Sequence, residues 1–281
     1  MNEKFFRLCK IFMNIPKEVL YSILLICITL PLINPLKIPL PISERVKLWY
    51  DYIENLPDNA YVIFSIDYDK KYIGMIEEFA VATLHHLFSR NVRIVFISFY
   101  KDGPFCYESL ISKANPESYG KNYGIDYVFL GYIANAEESI KRIANDFNSI
   151  VEVDYYGKMV NEILMLKHTR SANDFDMIIS FYGVNYKEKA VPYIWMSYWR
   201  NKYNVTLLIC VCEVTYYVDP PPYIPVGDVL ICPSSIAQYE YLIDKPGVAL
   251  GRIDALSLSL SLLILLIIMV NIVEIIIRIK E

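Results

Sequence analysis

The chain has 281 residues, of which 55% are hydrophobic, with a formal net charge of −4 and a mean hydropathy of +0.31. This hydropathy is too high for an ordinary soluble domain and too low for a transporter with many spans, so we expect a few membrane segments attached to a folded domain. The slightly acidic balance offers no basic surface, so we expect no nucleic acid as a partner.

The first predicted element is a transmembrane helix at residues 19–36, VLYSILLICITLPLINPL, which follows a tail at residues 1–18. The run carries no charge, and its length approaches the roughly 20 residues that cross the hydrocarbon of a bilayer. Pro31 and Pro35 lie late in the run and bend or end the helix there. A cleaved signal peptide is the alternative, but the leader is long and no small-residue cleavage site follows it, which favours an uncleaved anchor.

Residues 42–246 are predicted to form a domain in which helices and strands alternate. Ser43 is placed to cap an opening helix, SERVKLWYDYIENL. Unbroken apolar strands separated by amphipathic helices indicate a parallel sheet covered on both faces. We therefore predict an α/β fold with a doubly wound, mainly parallel five-stranded sheet, a Rossmann-like three-layer sandwich. The predicted strands are AYVIFSI, RIVFISF, DYVFLGY, DMIISF and VTLLICVC, and the helices between them lie at residues 73–90, from 103 onward, at 137–147 and at 186–203.

A second transmembrane helix is predicted at residues 255–273, ALSLSLSLLILLIIMVNIV, before a C-terminal tail at residues 274–281. Within it, Ser257, Ser261 and Asn271 are predicted to pack against the first span or against a partner. The alternative is that the hydroxyls bond back to their own helix backbone. Two spans place both termini on one side, and we expect cytoplasmic termini and an extracytoplasmic α/β domain at the cell membrane.

Polar residues follow several of the predicted strands, whose carboxyl ends meet at one edge of a parallel sheet. Asp67 and Tyr68 follow the first strand, Ser180 ends the fourth, and Glu213 follows the fifth. Because ligands commonly bind at this edge, these four residues are the candidate ligand residues. An acidic pair such as Asp67 and Asp69 suits a cation or a general base. The alternative is that Asp67 caps a loop or a helix start.

The sequence carries no complete catalytic or cofactor motif. It lacks GxGxxG after the first strand, and it lacks GxxxxGK[ST], GxSxG and HExxH altogether. We therefore expect no catalytic residue, no metal and no cofactor. The histidines His85, His86 and His168 are predicted to be hydrogen-bonded or solvent-facing rather than metal ligands.

The cysteines raise two further points. Cys106 lies in the first turn of a predicted helix, where a thiol pKa is often lowered, but no histidine partner can be assigned to it. Cys210 and Cys212 point to the same face of one strand, so a disulfide between them would distort it. A bond from either of them to Cys232 is left open, provided that the domain is exported.

Four segments are similar to those of a family of prokaryotic membrane proteins without an established activity: LPDNAYVIFSIDY, YGKNYGIDYVFLGY, DFDMIISFYG and AQYEYLIDKPGVALGRIDALS. The resemblance implies a Rossmann-like domain between two terminal transmembrane helices and supplies no mechanism. This chain has Asp69-Lys70-Lys71 where the relatives tend to have glycine, proline and serine. Asp254 matches an aspartate of the family, which implies a carboxylate at the membrane boundary that orients or pairs the helix.

Two functions follow as hypotheses. The first is a non-enzymatic subunit or scaffold of a membrane complex, anchored in the lipid bilayer and bound to a homo- or hetero-oligomeric membrane partner. The alternative is a membrane-anchored enzyme or small-ligand sensor that uses the strand-end edge of the sheet.

Overall fold

The computed structural model describes residue 11 and residues 14–183, 190–218 and 227–280 of the chain. These residues belong to two compact units. Residues 42–245 form one of them, called the α/β unit below. Residues 1–41 and 246–281 together form the other, called the helical unit. The predicted N-terminal tail at 1–18 lies mostly outside the described residues.

The α/β unit contains a six-stranded sheet in which all neighbouring strands are parallel, in the order β3-β2-β1-β4-β5-β6. This is the strand order of a doubly wound, Rossmann-type sheet, whose direction of winding reverses between β1 and β4. The predicted parallel α/β fold is therefore confirmed. The strands are β1 (Tyr61–Tyr68), β2 (Arg93–Ser98), β3 (Tyr127–Tyr132), β4 (Met177–Gly183), β5 (Thr206–Val211) and β6 (Val229–Ile231).

The predicted number of strands is wrong by one. The five predicted runs coincide with β1 to β5, and β6 was missed because its three residues are too few to show as an apolar run of four to eight. A short strand is sufficient here because β6 is at the edge of the sheet and needs to pair only with β5.

Helices follow the strands along the chain, as the alternating pattern predicts. The Ser43 side chain accepts the Val46 N–H at 3.4 Å and caps the first of them. The predicted helix at 186–203 is described only from residue 190, and its last part includes a π-helical turn, Met196–Arg200. In the α/β unit the helices are α2 (Glu44–Glu54), α3 (Ile73–Ser89), α4 (Gly103–Ala114), α5 (Ala136–Ile143), α6 (Val191–Trp195), α7 (Asn201–Tyr203), α8 (Glu213–Val218) and α9 (Ile236–Leu242).

Aromatic side chains cover both faces of the sheet. On one face, the Trp49 ring meets the Phe79 ring edge-on at 5.3 Å between centroids and the Phe181 ring at 6.2 Å. On the other, Trp195 and Trp199 pack edge-on at 5.2 Å. Each of these five side chains is fully buried, and burying such a side chain stabilises the fold by about 1.5–3 kcal/mol. Coverage of both faces explains why the central strands are apolar throughout rather than alternating.

The free edge of β3 is covered by the segment that follows α5. The Tyr155 N–H donates to the Phe129 carbonyl at 3.0 Å. The Tyr123 hydroxyl accepts the Phe129 N–H at 3.3 Å and donates to Asp154 Oδ2 at 2.7 Å. These contacts use backbone groups that an uncovered edge strand would offer to another chain.

The helical unit contains α1 (Lys17–Ile33) and α10 (Val248–Lys280). Among the described residues, α10 is the one helix that is long and apolar enough to cross a membrane, over Val248–Arg278. The expectation of two membrane-spanning helices is not confirmed, because α1 has 17 residues and stops at Ile33 instead of residue 36. Pro35 accounts for that end, since the residue before a proline disfavours helical geometry.

Gly103, in the first turn of α4, permits the close packing of α4 on β2, and its replacement should destabilise the fold. A Cβ at Gly103 would lie 1.9 Å from Ser98 Oγ and 2.3 Å from Ser98 Cβ, both on the preceding strand. We expect Gly103→Ala to lower the free energy of unfolding by about 1–3 kcal/mol, as overpacking in a dense core does. Thermal unfolding of the full-length protein measures this.

Gly74→Ala is the matched control. Gly74 is in the first turn of α3, and a Cβ added there would have no atom within 4 Å, so alanine should leave the protein equally or slightly more stable. Equal melting temperatures for Gly103→Ala and Gly74→Ala would contradict the proposed packing constraint.

Candidate functional site

The strand-end edge near β1 and β4 holds a cluster of buried polar side chains. Ser65 on β1 pairs with Ser180 on β4, and Asp67 pairs with Tyr182. Because register partners in adjacent parallel strands project to the same face of the sheet, these four side chains share one face. All four are buried. The sheet thus brings together two of the predicted ligand residues, Asp67 and Ser180, at the point where the winding reverses.

Asp67 is the centre of this cluster. Its Oδ2 accepts the Ser65 hydroxyl at 2.5 Å, and its Oδ1 accepts the Phe99 N–H at 2.7 Å. The Trp195 indole N–H donates to Ser65 Oγ at 3.2 Å. No ion pair to Asp67 occurs among the described residues. Burial therefore raises the pKa of Asp67 to about 7, and the hydrogen bonds from Ser65 and Phe99 offset only part of that effect.

Ser180 lies beside this network without joining it. Its hydroxyl oxygen is completely buried and has no hydrogen-bond partner among the described residues. A buried hydroxyl without a partner costs about 1–3 kcal/mol. On the face of the sheet that carries Asp67, Ser180 is thus a candidate ligand residue with unused hydrogen-bonding capacity.

Asp67 also has a structural role, since it connects β1 to the end of β2. Phe99, whose N–H it accepts, directly follows β2. Ser98 makes a second connection, because its hydroxyl donates to the Ile66 carbonyl at 2.6 Å. The bond from the Phe99 N–H agrees with the alternative that Asp67 caps a loop, here the one that follows β2.

Tyr68 projects to the opposite face of the sheet. Its hydroxyl is buried there, without a hydrogen-bond partner among the described residues, and burial raises its pKa well above the ordinary value. Glu77 on α3 is buried on the same side, where Oε2 pairs with the Lys113 ammonium and Oε1 has no partner within the described chain. Tyr68 thus cannot act on one ligand atom together with Asp67.

Glu213 is also separate from Asp67. It begins α8, and its Oε1 accepts the Ser234 N–H at 2.7 Å, which connects the end of β5 to the turn after β6. The four predicted ligand residues are therefore placed in three different environments. Only Asp67 and Ser180 share a local site.

The cysteines of the α/β unit are free thiols. Burial raises the pKa of Cys106 to about 12 and that of Cys232 to about 11, so both stay protonated near neutral pH. Cys210 and Cys212 are fully buried, and burial raises the pKa of each. The possibility of a lowered pKa at the start of α4 is thereby corrected, because desolvation outweighs the helix terminus.

Two histidines are hydrogen-bonded within the fold, as predicted. His86 Nδ1 lies 2.8 Å from the Tyr239 hydroxyl, and its Nε2 lies 2.9 Å from Glu54 Oε2. The bonds join α2, α3 and α9, and the Tyr50 ring stacks on the imidazole at 4.8 Å. His85 Nδ1 lies 2.9 Å from the Tyr119 hydroxyl. Within the described ranges, no group of three or more His, Cys, Asp or Glu side chains is arranged to hold a metal ion.

A surface cleft of about 430 Å³ lies at the opposite edge of the sheet, where β4 and β5 begin. Sequence reasoning missed this cleft, because its residues come from α2 and the loop after it and from the starts of two distant strands. It is lined by Leu48, Asp51, Tyr52, Asn55, Leu56, Pro57, Asp176, Met177 and Thr206. The cleft therefore does not coincide with the predicted strand-end edge.

The helical unit contains a second cluster of contacts, centred on Asp254 of α10. The carboxylate is fully buried and accepts three successive backbone N–H groups, from Leu36 at 2.7 Å, Lys37 at 2.9 Å and Ile38 at 3.0 Å. Lys37 has a φ of 55°, and this left-handed residue turns the three N–H groups towards one point, as in an anion-binding nest. The carboxylate thereby fixes the turn that follows α1.

Gly251 lies one turn before Asp254 and allows α1 and α10 to touch. A Cβ at this position would lie 2.7 Å from the Pro31 carbonyl oxygen and 3.6 Å from Leu32 Cα. The contact continues along both helices through buried or half-buried positions, including Leu20 and Cys27 on α1 and Ala255 on α10. The two helices therefore form an antiparallel pair, called the hairpin below although the whole α/β unit separates them in sequence.

The predicted helix-packing residues lie on a different face of α10. Ser261 and Asn271 are exposed and Ser257 is half-buried. At about 100° per residue the three fall within one sector, away from the side that carries Gly251, Ala255 and Leu262. The Asn271 amide donates to its own Ile267 carbonyl at 2.7 Å. Packing of this face against a partner stays a prediction.

The pKa of Asp67 predicts a measurable dependence of stability on pH. In the unfolded chain the carboxyl titrates near 3.9, and in the folded protein it titrates near 7. The folded state thus binds the proton more tightly, so the contribution of Asp67 to stability should be fully present below about pH 4 and be lost as the pH rises to about 7. Each pKa unit corresponds to about 1.4 kcal/mol, so the change in the free energy of unfolding caused by Asp67 is at most about 4 kcal/mol.

Asp67→Asn should remove this slope, because the amide keeps the shape of the side chain and carries no proton to lose. The measurement is chemical unfolding of the full-length protein between pH 4 and 8. The exposed Asp58→Asn serves as a control that should retain the slope. Identical pH profiles for the wild type and Asp67→Asn would refute the titration of Asp67 in this range.

No family model, curated protein or solved structure matches this chain.

Proposed function

We propose that this chain is a membrane-anchored α/β protein that serves as a non-enzymatic subunit or scaffold of a membrane complex. The observation that carries the proposal is the α1–α10 hairpin, a paired set of apolar helices whose outer surfaces are not covered by the described residues. On α1 the exposed side chains include Ile23, Leu25 and Ile26, and on α10 they include Leu263, Ile267 and Ile272. An apolar surface of this extent requires lipid or protein around it.

The charge distribution of the hairpin also supports a membrane location. From Ala255 to Val273, α10 carries no charged residue, and Asp254 and Glu274 delimit this run. Nineteen helical residues span about 29 Å, close to the ~30 Å of bilayer hydrocarbon. The carboxylate of Asp254 is compatible with the end of that run because three N–H groups compensate it. We propose that α1 accompanies α10 into the bilayer as the second membrane segment.

The non-enzymatic part of the proposal rests on the strand-end edge. Asp67 is used to hold the end of β2, Glu213 is used to hold the turn after β6, and Tyr68 faces away from both. A general acid or base must reach the proton that it transfers, at about 2.6–3.2 Å from a bound substrate. Asp67 and Glu213 are instead engaged in contacts within the fold, and the Tyr68 hydroxyl is buried on the opposite face of the sheet.

A small-ligand sensor is the second candidate, and the unpartnered hydroxyl of Ser180 is the observation that favours it. Together with Ser65 and Asp67 it forms a polar site at the position where doubly wound sheets usually bind ligands. A hydrogen-bonding ligand could satisfy Ser180. If the second candidate is right, Ser180→Ala should weaken the binding of such a ligand. Unchanged binding would contradict it.

Asp254→Ala tests the hairpin as the element of anchoring and assembly. Hydrogen bonds to a charged group contribute about 1.5–3 kcal/mol each, and the three bonds share one carboxylate, so we expect a loss of about 3 kcal/mol from the helical unit. The apolar helices remain, so the variant should stay in the membrane fraction. Its complex in mild detergent should dissociate at a lower temperature than the wild-type complex, as measured by size-exclusion chromatography after heating.

Glu274→Ala is the matched control, since Glu274 pairs, within the part of the chain that the structure describes, with Arg278 on the exposed side of the same helix. It should behave as the wild type. If Asp254→Ala and Glu274→Ala dissociate at the same temperature, the hairpin turn does not support assembly.

We further propose that both termini are cytoplasmic and that the α/β unit is extracytoplasmic. Asp58 is exposed in a turn before β1, and Asp58→Cys should therefore react with a membrane-impermeant maleimide added to intact cells. The thiols of Cys106, Cys210 and Cys212 are buried, and the half-buried Cys232 is replaced by serine in the parent protein so that the background of the α/β unit is unreactive. Labelling that requires permeabilised cells would reverse the proposed orientation.

A further inference from the structure

Two adjacent ionisable residues, Lys17 and Glu18, begin α1. Both side chains are exposed. Neither makes an ion pair or a side-chain hydrogen bond with any described residue, and the Ser22 hydroxyl bonds only to the Glu18 carbonyl. They are the only charged residues of α1. The hydroxyls of Ser22 and Thr29 bond back to the helix, and the Tyr21 ring is exposed.

The hairpin contacts fix the level of this pair along α10. Gly251 lies against α1 at Pro31, and from there the two helices run side by side through half-buried positions that include Leu20 and Leu266. Both rise about 1.5 Å per residue. The helices are antiparallel, and Lys17 precedes Pro31 by as many residues as Leu265 follows Gly251. Lys17 and Glu18 therefore lie about level with Leu265. Leu265 is next to the midpoint of the uncharged run Ala255–Val273.

An ionisable pair at this level is costly if the hairpin crosses the bilayer, which is the premise taken from the proposed function. Insertion of one charged residue at the centre of a membrane helix costs about 2.5–3.5 kcal/mol. Such residues therefore face other protein groups or a polar cavity rather than lipid. Since α10 offers neither side chain a partner, the compensating groups have to come from outside the described hairpin.

The pair is continuous with an apolar stripe on the outside of α1. From Glu18 the stripe continues through Tyr21, Leu25, Ile28 and Leu32, at alternating intervals of three and four residues. All four of these apolar side chains are exposed, Tyr21 by 66% and Leu25 by 60%. The positions that face α10, among them Leu20 and Cys27, lie on another side of the helix. This spacing is the one that lets two helices pack along a left-handed seam.

We propose that a second copy of this chain docks on the outer stripe of α1 and pairs its Lys17 and Glu18 with those of the first copy. The charges favour this occupant, because a surface with adjacent ammonium and carboxylate groups is complementary to itself. The two α1 helices then lie parallel, related by a twofold axis along the stripe, and Glu18 of one copy is opposite Glu18 of the other. Each Glu18 side chain packs beside the residue that precedes the opposite Glu18. That residue is the Lys17 of the other copy, so each Lys17 meets a Glu18. Two ion pairs then replace four uncompensated charges.

Charge reversal of the full-length chain tests this arrangement. Two differently tagged copies are co-expressed, membranes are solubilised in mild detergent, and co-purification of the tags measures self-association. Lys17→Glu and Glu18→Lys alone place like charges across the axis, and each should reduce co-purification at least tenfold. The double variant Lys17→Glu with Glu18→Lys restores complementarity, and so does co-expression of one single variant with the other. Both combinations should recover the wild-type level.

Glu274→Lys with Arg278→Glu is the matched control, because it swaps an exposed pair at the other end of the hairpin, and it should not change co-purification. Equal co-purification of all variants, or its loss in the double variant as well, would overturn the proposal. A membrane-bound wild type whose two tags never co-purify would overturn it too, and would leave the proposed membrane anchor standing. A wild type absent from the membrane fraction would refute the proposed function itself.

Discussion

The carboxylate of Asp254 is the contact on which the arrangement of the helical unit depends. It accepts the N–H groups of residues 36–38, which lie more than 200 positions earlier in the chain. Those N–H groups belong to the turn that follows α1, and one carboxylate accepts all three of them. Gly251 makes the same contact sterically possible, since any side chain there would meet the Pro31 carbonyl. A single turn of α10 thus provides both the charge and the space for the hairpin.

In the α/β unit a cluster of polar side chains holds the ends of neighbouring strands together. Asp67 and Ser98 both connect β1 to the end of β2, and Asp67 does so while completely buried. Burial raises the pKa of Asp67 to about 7, so the protonation of this carboxyl changes near physiological pH. The unpartnered Ser180 hydroxyl on the neighbouring strand keeps a ligand at this edge as an open hypothesis. The same residue pattern in the sequence supports both interpretations.

The strands and most helices were predictable because burial on both faces produces unbroken apolar runs, which are easy to recognise. β6 was not, since three residues leave no pattern. The end of α1 at Ile33 was visible only as two prolines, and its consequence for span length required the structure. For the site, sequence order placed Asp67, Tyr68, Ser180 and Glu213 at the strand ends. In the structure, Tyr68 and Asp67 project to opposite faces of the sheet, because successive strand residues alternate. Glu213 accepts an N–H group from the turn after β6. Neither arrangement follows from strand order alone. The Asp254 nest could be suspected from a carboxylate beside an apolar run, but its partners at residues 36–38 could not, because no local signal links them.

The most direct test of the scaffold function is isolation of the full-length protein from native membranes in mild detergent, with mass spectrometry of everything that remains bound. We expect recovery in the membrane fraction and a stoichiometric protein partner, either a second copy or another subunit, which Asp254→Ala releases. A monomeric protein that carries a bound small molecule and no protein partner would contradict the scaffold function. It would favour a ligand site at Ser180 and Asp67 instead.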